Sequence, residues 1–499
     1  MDPNTSESST YQYSPLPSLT SIRLLELQAA STNEISLQLH TCEIEHALPF
    51  DALSYTWRDP RSPYIVSRPS ERHAYSVASF PATCNGRTIM IRPNLRDALQ
   101  MLHTTTLTST ERNKQRYIWI DAICINQKDL RERESQVGLM TGVYQRAKSV
   151  IAWLGPEDET TANAFTVMDR LSSIPFIPKS PSEVLNSSDS YSFVTMEDFF
   201  DPEAQRSKMG IEPLTRQNWL AWSVFLHRPY FKRAWILQEV VLAQSIVVMC
   251  GTRTFDWQKF STTMAFITKT NWMYMLHRHI FKDNIVPKEL TMDSTVLSRN
   301  LDPGAGAMYL CHIRLATEAT GKSFTLSGLL RNRFFEASDP RDRIYAVLGI
   351  SRKEEKPFST HGHLMMPDYS ISVKSLYTKI MRILIQSYGD LRFLSEKECR
   401  RWRNESGLPS WVPDYSAVLI PDPLGRRSKC NWCAHASWEW KMDSRQLEDP
   451  LLDVQGVKVG RISAMSNDPL ECQDDDRFWA SICNVAQGMH PYYKVLPNS

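Results

Sequence analysis

Tyr117-Ile118-Trp119-Ile120-Asp121-Ala122-Ile123-Cys124-Ile125-Asn126-Gln127 is an almost unbroken apolar run that ends in polar groups. A polar stretch of helical character comes next, and then a second apolar run, Ser149-Val150-Ile151-Ala152-Trp153-Leu154-Gly155. The order is strand, helix, strand. A strand apolar on both faces belongs to a buried parallel sheet whose two sides are covered by helices. Such sheets bind ligands outside the carboxyl ends of their strands. The sequence places Asp121, Cys124, Asn126 and Gln127 there. The run therefore predicts an α/β fold with a parallel sheet, and the rim of a site.

The connecting helix is predicted over about 128–148. Val137, Met140, Val143, Tyr144 and Ala147 form its apolar stripe, and Asp129, Glu132 and Glu134 load its first turns as the helix dipole prefers. Upstream, Ser21 to Cys42 alternates apolar and polar residues as paired strands do. Phe50 to Trp57 reads as a further strand and 59–79, with its prolines, as a loop. Asn85-Gly86 between two apolar stretches signals a hairpin. Asn94 to His103 reads as a helix capped by Asn94. Residues 1–20, rich in Ser, Thr and Pro, read as a disordered tail. Downstream, 175–215 lacks periodicity and reads as a variable loop. Trp219–Leu226 and Ala234–Ala243 read as helices, and Ser245–Cys250 as a strand. Apolar helical patterns dominate 256–400. Asp339-Pro340 opens one of them, with Asp339 as cap and Pro340 at the first helical position. Residues 401–499 are Trp- and Pro-rich with mixed α and β signals, including a strand candidate over 452–459.

The bulk numbers bound the class. A chain of 499 residues with 42% hydrophobic and 22% charged residues has the balance of an ordinary globular protein of two or three domains. Lys and Arg number 57 against 55 Asp and Glu, which gives no basic stripe for nucleic acid. Ten Cys are spread too thinly for a disulfide scaffold, and Met1 to Tyr13 has no apolar core of a signal peptide. The apolar window 234–251 contains Gln238, Glu239 and Gln244, so no membrane span is expected. Together these predict an intracellular, cytoplasmic location.

Four blocks resemble the heterokaryon-incompatibility (HET) domain of filamentous fungi. They are Leu53-Ser54-Tyr55-Thr56-Trp57; Trp119 to Gln127, continuing through Glu132, Gln136, Met140, Tyr144 and Ala147 to Gly155; Arg233-Ala234-Trp235-Ile236-Leu237-Gln238-Glu239-Val240; and Asp339 to Gly349. Pro367-Asp368-Tyr369 and Pro409 to Asp414 also look familial. Arg58 stands where the family usually has Gly, and the chain ends at Ser499 where many relatives run on, which suggests a shortened C-terminus. The domain is expected over 21–255, with its motif core at 50–245. The resemblance implies a flavodoxin/TIR-like parallel sheet, with a mostly α-helical region after it. It also implies a role in non-self recognition and regulated cell death, through self-association or other incompatibility proteins.

HET domains look distantly similar to Toll/interleukin receptor (TIR) domains, whose catalytic members cleave NAD with a Glu four residues after a Trp. Trp235 and Glu239 have that spacing, which puts them on one helix face. The resemblance thus implies NAD as substrate, with no cofactor. Glu239 would stabilise an oxocarbenium-like state, and Tyr55, Trp57, Asp121, Asn126, Arg233 and Trp235 would line the substrate site. Each has a plainer reading. Glu239 pairs with Arg233 or a nearby Lys in a structural network, Asn126 or Gln127 caps the following helix, and Tyr55 and Trp57 pack the core. Cys124, with no adjacent His or Lys, reads as an inert buried thiol. Arg341, Asp342 and Arg343 read as a salt-bridge network at a helix start. Cys430, Cys433 and His435 lack the second pair a zinc site needs. There is no Gly-rich phosphate loop and no nucleophile elbow. The non-enzymatic alternative is a signalling module.

Overall fold

A computed structural model describes residues 10–28, 34–63, 69–108, 116–174, 194–272, 304–320, 324–331, 335–352, 366–389, 391–396, 403–417 and 449–452, with Leu276 and Leu447. The chain divides into two units. Every element below belongs to the first, Met1–Ala434 with Arg445–Leu451.

Nine strands form one sheet: β1 (Ser21–Leu27), β2 (Ser36–Glu43), β3 (Phe50–Tyr55), β4 (Phe80–Cys84), β5 (Arg87–Ile91), β6 (Tyr117–Trp119), β7 (Ser149–Trp153), β8 (Ile246–Cys250) and β9 (Arg253–Asp256). Their spatial order is β5-β4-β2-β1-β6-β3-β7-β8-β9. The central strands β6, β3, β7 and β8 are mutually parallel, as are β2 and β4. The pairs β1–β2, β1–β6, β4–β5 and β8–β9 are antiparallel. The predicted parallel sheet is therefore corrected to a mixed one. Only the four central strands read as runs apolar on both faces, and the flanks carry the alternating pattern of antiparallel strands. Ala52, Val150, Ile151, Ala152 and Trp153 are at most 2% exposed. Burying a large apolar side chain this way contributes about 1.5–3 kcal/mol.

The stretch Tyr117–Gln127 itself divides. Its strand, β6, is only three residues long. Ile120 stays extended and starts a short helix α3 (Asp121–Cys124), in which the Cys124 amide donates to Ile120 O at 2.7 Å. An apolar run alone does not separate strand from buried helix. The asparagine-glycine hairpin forms as predicted, with φ of 49° at Asn85 and 76° at Gly86 joining β4 to β5. The stretch 59–79 contains α1 (Pro69–Val77). Helix α2 (Pro93–Thr108) starts at Pro93, so Asn94 is inside it rather than its cap. The Asn94 amide donates to Thr56 O at 2.7 Å and accepts from Trp153 Nε1 at 2.8 Å, tying the ends of β3 and β7.

Helix α4 (Leu130–Arg146) is capped by Asp129, which accepts from the Arg131 and Glu132 amides. Then come α5 (Thr161–Ser172), α6 (Pro202–Met209), α7 (Arg216–Leu226), α8 (Ile236–Val241) and α9 (Trp257–Lys269). The stretch read as a variable loop thus carries α6, capped by Asp201 and closed by a left-handed Gly210; its residues 175–193 lie outside the described residues. Beyond β9 the regular described elements are helical: α9, then α10 (Ala305–Thr320), α11 (Leu326–Leu330), α12 (Asp342–Leu348) and α13 (Val373–Tyr388), with a 3-10 turn at Arg392–Glu396. Helix α12 begins two residues later than Pro340 predicts. Asp339 caps the preceding turn by accepting from the Arg341 amide at 3.0 Å.

Within the expected tail, residues 10–20 pack on the fold. The Tyr11 amide donates to Thr88 O at 2.8 Å, and the Tyr13 hydroxyl to Ile123 O at 2.8 Å. The strand candidate beyond Leu452, and Cys430, Cys433 and His435, lie outside the described residues.

Candidate functional site

Helix α8 comes after a tight turn, Pro229–Lys232, in which proline opens the 3-10 segment. Ile236, Leu237, Gln238, Glu239 and Val240 are all buried, so the helix has no solvent face among them. A carboxylate in such a helix has to be paired. Arg233 supplies the pair in fork geometry, donating from Nη1 to Oε2 at 2.9 Å and from Nη2 to Oε1 at 3.0 Å. Ser54 of β3 donates a third, short hydrogen bond to Glu239 Oε2. Because that uses the Ser54 proton, the Tyr230 hydroxyl donates to Ser54 Oγ, at 2.8 Å. Glu239 is 1% exposed, while the Arg233 side chain keeps 19% of its surface in water.

Arg233 also faces Asp121, on the first residue of α3. Burial pushes the Asp121 carboxyl up to about 6, opposed by Arg233 and reinforced by Glu239. Asp121 accepts from Trp57 Nε1 at 3.1 Å and from the Ala122 amide at 2.7 Å. The Arg92 guanidinium lies 5.8 Å from the Trp57 ring centroid. Burial lowers the pKa of Arg233, but Glu239 and Asp121 outweigh it, and the guanidinium is held firmly charged. The Tyr230 hydroxyl is raised by burial and by Glu239. The Arg233 guanidinium thus pairs with Glu239 and acts on Asp121 through its field alone.

The structure brings some of the predicted residues to the Arg233–Glu239 pair and places others elsewhere. Trp57, Asp121, Arg233 and Glu239 come together. Tyr55 is 2% exposed and lies near the same charges: burial raises its hydroxyl well above the ordinary value, with Asp121 and Glu239 adding and Arg233 and Arg92 opposing. Trp235 caps α8 through its backbone, and its side chain hydrogen-bonds Asp342, away from the pair with Arg233. Asn126 shapes the approach to α4: its backbone N–H donates to Glu132 Oε1 at 2.7 Å and its side-chain Oδ1 accepts from the Lys128 backbone amide at 3.3 Å. Gln127 donates to Asp121 O at 2.9 Å. Burial raises the Cys124 thiol to about 12, as befits an unreactive thiol. Ser54 and Tyr230 were missed. The available signal was a hydroxyl inside a buried apolar strand, which needs a partner.

Residues 50–239 match the family model described as Heterokaryon incompatibility protein (HET). The likeness to the HET domain rests on that stretch. The stretch opens on the first residue of β3 and closes on Glu239, so the Ser54–Glu239 contact ties its first strand to its last residue. A curated relative, "Heterokaryon incompatibility protein 6, OR allele" of Neurospora crassa, is 26% identical over 432 residues, covering 80% of this chain and 58% of that protein. The chain therefore matches little more than half the length of that relative. No solved structure matches the chain. The matched stretch supplies the parallel centre of the sheet except β8, while β1, β2, β8 and β9 lie outside it. Among the described residues no group of three or more His, Cys, Asp or Glu could hold a metal ion, and no helix is long and apolar enough to cross a membrane.

Proposed function

We propose that this chain is a fungal heterokaryon-incompatibility protein that acts in non-self recognition and the regulated cell death following an incompatible fusion. The match of residues 50–239 and the name of the Neurospora relative support the biological role. Taken as strands one to four, β3, β6, β7 and β8 lie in the order 2-1-3-4, which supports the flavodoxin/TIR-like reading of the domain's centre. The five described cysteines are free, in keeping with a cytoplasmic protein.

One observation carries the mechanism. Glu239 is buried with both oxygens taken by Arg233 and Ser54. A saturated, enclosed carboxylate holds one conformation of α8 against β3. This favours a signalling module that acts by self-association or partner binding and is switched by the state of that lock. A second reading, NAD cleavage, is favoured by the convergence of Glu239, Arg233, Asp121 and Trp57 at the carboxyl ends of parallel strands. For that chemistry Arg233 has to swing away, freeing a Glu239 oxygen to stabilise the oxocarbenium-like state. Trp57 and Asp121 would then meet the nucleotide.

NAD consumption, melting temperature, oligomeric state and cell killing are measured for wild type and Glu239→Gln. Turnover by the assembled wild type, abolished in a variant that still folds and assembles, establishes cleavage. Killing that depends on Glu239 with no NAD turnover establishes the signalling module. A Glu239→Gln protein that melts and kills like wild type sinks the lock.

A further inference from the structure

Two sequence blocks outside the matched stretch, Asp339–Gly349 and Pro367–Tyr369, meet on its surface. Tyr369 is the centre of the junction. Its amide donates to Glu134 Oε1 of α4 at 2.8 Å, and its hydroxyl donates to Asp342 Oδ1 of α12 at 2.5 Å. The Arg133 guanidinium lies 4.4 Å from its ring centroid, and that of Arg341 5.3 Å. Arg341 also donates to Tyr369 O at 2.5 Å and Ile371 O at 2.9 Å. Asp342, held this way, takes the side-chain hydrogen bond of Trp235 at the start of α8.

The same downstream region grips the backbone on both sides of Arg233. The Glu336 amide donates to Lys232 O, and the Ala234 amide donates to Glu336 O at 2.8 Å. Gln238, the neighbour of Glu239, donates to Tyr345 O at 3.1 Å. Three successive contacts, to Glu336, Asp342 and Tyr345, thus fix the short segment that carries both members of the ion pair. None of these three residues lies within 50–239.

We propose that Glu336, Asp342, Tyr345 and Tyr369 act together as an intramolecular latch that holds the Arg233–Glu239 segment in its closed, ion-paired arrangement, with Tyr369 as the bolt. Opening at Tyr369 releases Asp342, then Trp235, and lets α8 move relative to β3. The proposal deepens the reading above, on which it rests for what release accomplishes. The junction itself is open to a test that needs neither NAD turnover nor cell death.

The test is hydrogen–deuterium exchange on the full chain for wild type, Tyr369→Phe and Asp342→Asn. The Phe substitution removes only the hydroxyl donated to Asp342. The latch predicts that amides in 236–241 exchange about tenfold faster in both variants, the effect of losing one buried hydrogen bond. Amides in the middle of α2 keep their wild-type rates. Unchanged exchange in 236–241 overturns the proposal, and so does an equal acceleration in α2, which means general loosening. If Tyr369→Phe fails to fold, Arg133→Gln, which removes the cation over the ring, faces the same two outcomes.

Discussion

Glu239, Arg233 and Ser54 are coupled tightly enough that each substitution reads on the others. Glu239→Gln leaves the Arg233 cation without its buried partner. Breaking such a pair costs about 3 kcal/mol, the low end of the usual range because Arg233 keeps 19% of its side chain exposed. Urea denaturation of the two proteins measures it. Ser54→Ala removes a donor to a carboxylate and orphans the Tyr230 hydroxyl, at a cost of about 1–3 kcal/mol. Asp121 gives a pH signature. Its folded carboxyl titrates at about 6 against an ordinary 3.8, so between these values the folded state binds more protons than the unfolded chain. This residue's contribution to stability therefore falls as pH rises from about 4 to 6. Asp121→Asn removes the dependence. Denaturant midpoints taken across that window should show the variant gaining on wild type as pH rises, and a constant difference would refute the assignment.

At the scale of elements, the sequence made visible the features that periodicity and turn chemistry encode. The β4–β5 hairpin was legible in Asn85-Gly86, whose residues both have positive φ. The β6–α4–β7 unit was legible in its two apolar runs, and the pairing of Glu239 with Arg233 in the need of a buried charge for a partner. The antiparallel flanks and the shortness of β6 were not legible, because strand direction and the break at Ile120 depend on which segments meet. The direction of Trp235 was hidden for the same reason: its partner, Asp342, lies a hundred positions downstream. Gly349 is another such long-range constraint. A Cβ there would collide with Thr141 Oγ1 and stand 2.8 Å from the Gln238 side-chain amide, where α12 meets α4 and α8. Gly349→Ala should cost about 1–3 kcal/mol by overpacking, read as a lowered melting temperature.

On the scale of the whole molecule, the stretch matched to the HET family leans on the helices downstream of it. Arg314 of α10 donates to Val240 O and, at 3.0 Å, to Ala243 O, at the end of α8. Ala234 and Leu237 face Leu329, Leu330, Phe335 and Val347 across a small cavity. A chain cut after Asp256 would expose this apolar face of α8. It should lose the cooperative thermal transition of the full chain and bind a hydrophobic dye, as scanning calorimetry and dye fluorescence would show.

The bridge between Lys232 and Glu336 also bears on how the protein is made. At translation rates of roughly 5–20 residues per second, β3 leaves the ribosome ~15–60 s before the segment that braces α8. Until Asp256 has emerged the central strands have their neighbours only in part and their edges stay open to wrong pairing, and from there until Glu336 follows the sheet is complete but α8 lacks its brace. Nascent chains stalled before Glu336 should remain protease-sensitive and chaperone-bound, and chains extended past Gly349 should become resistant.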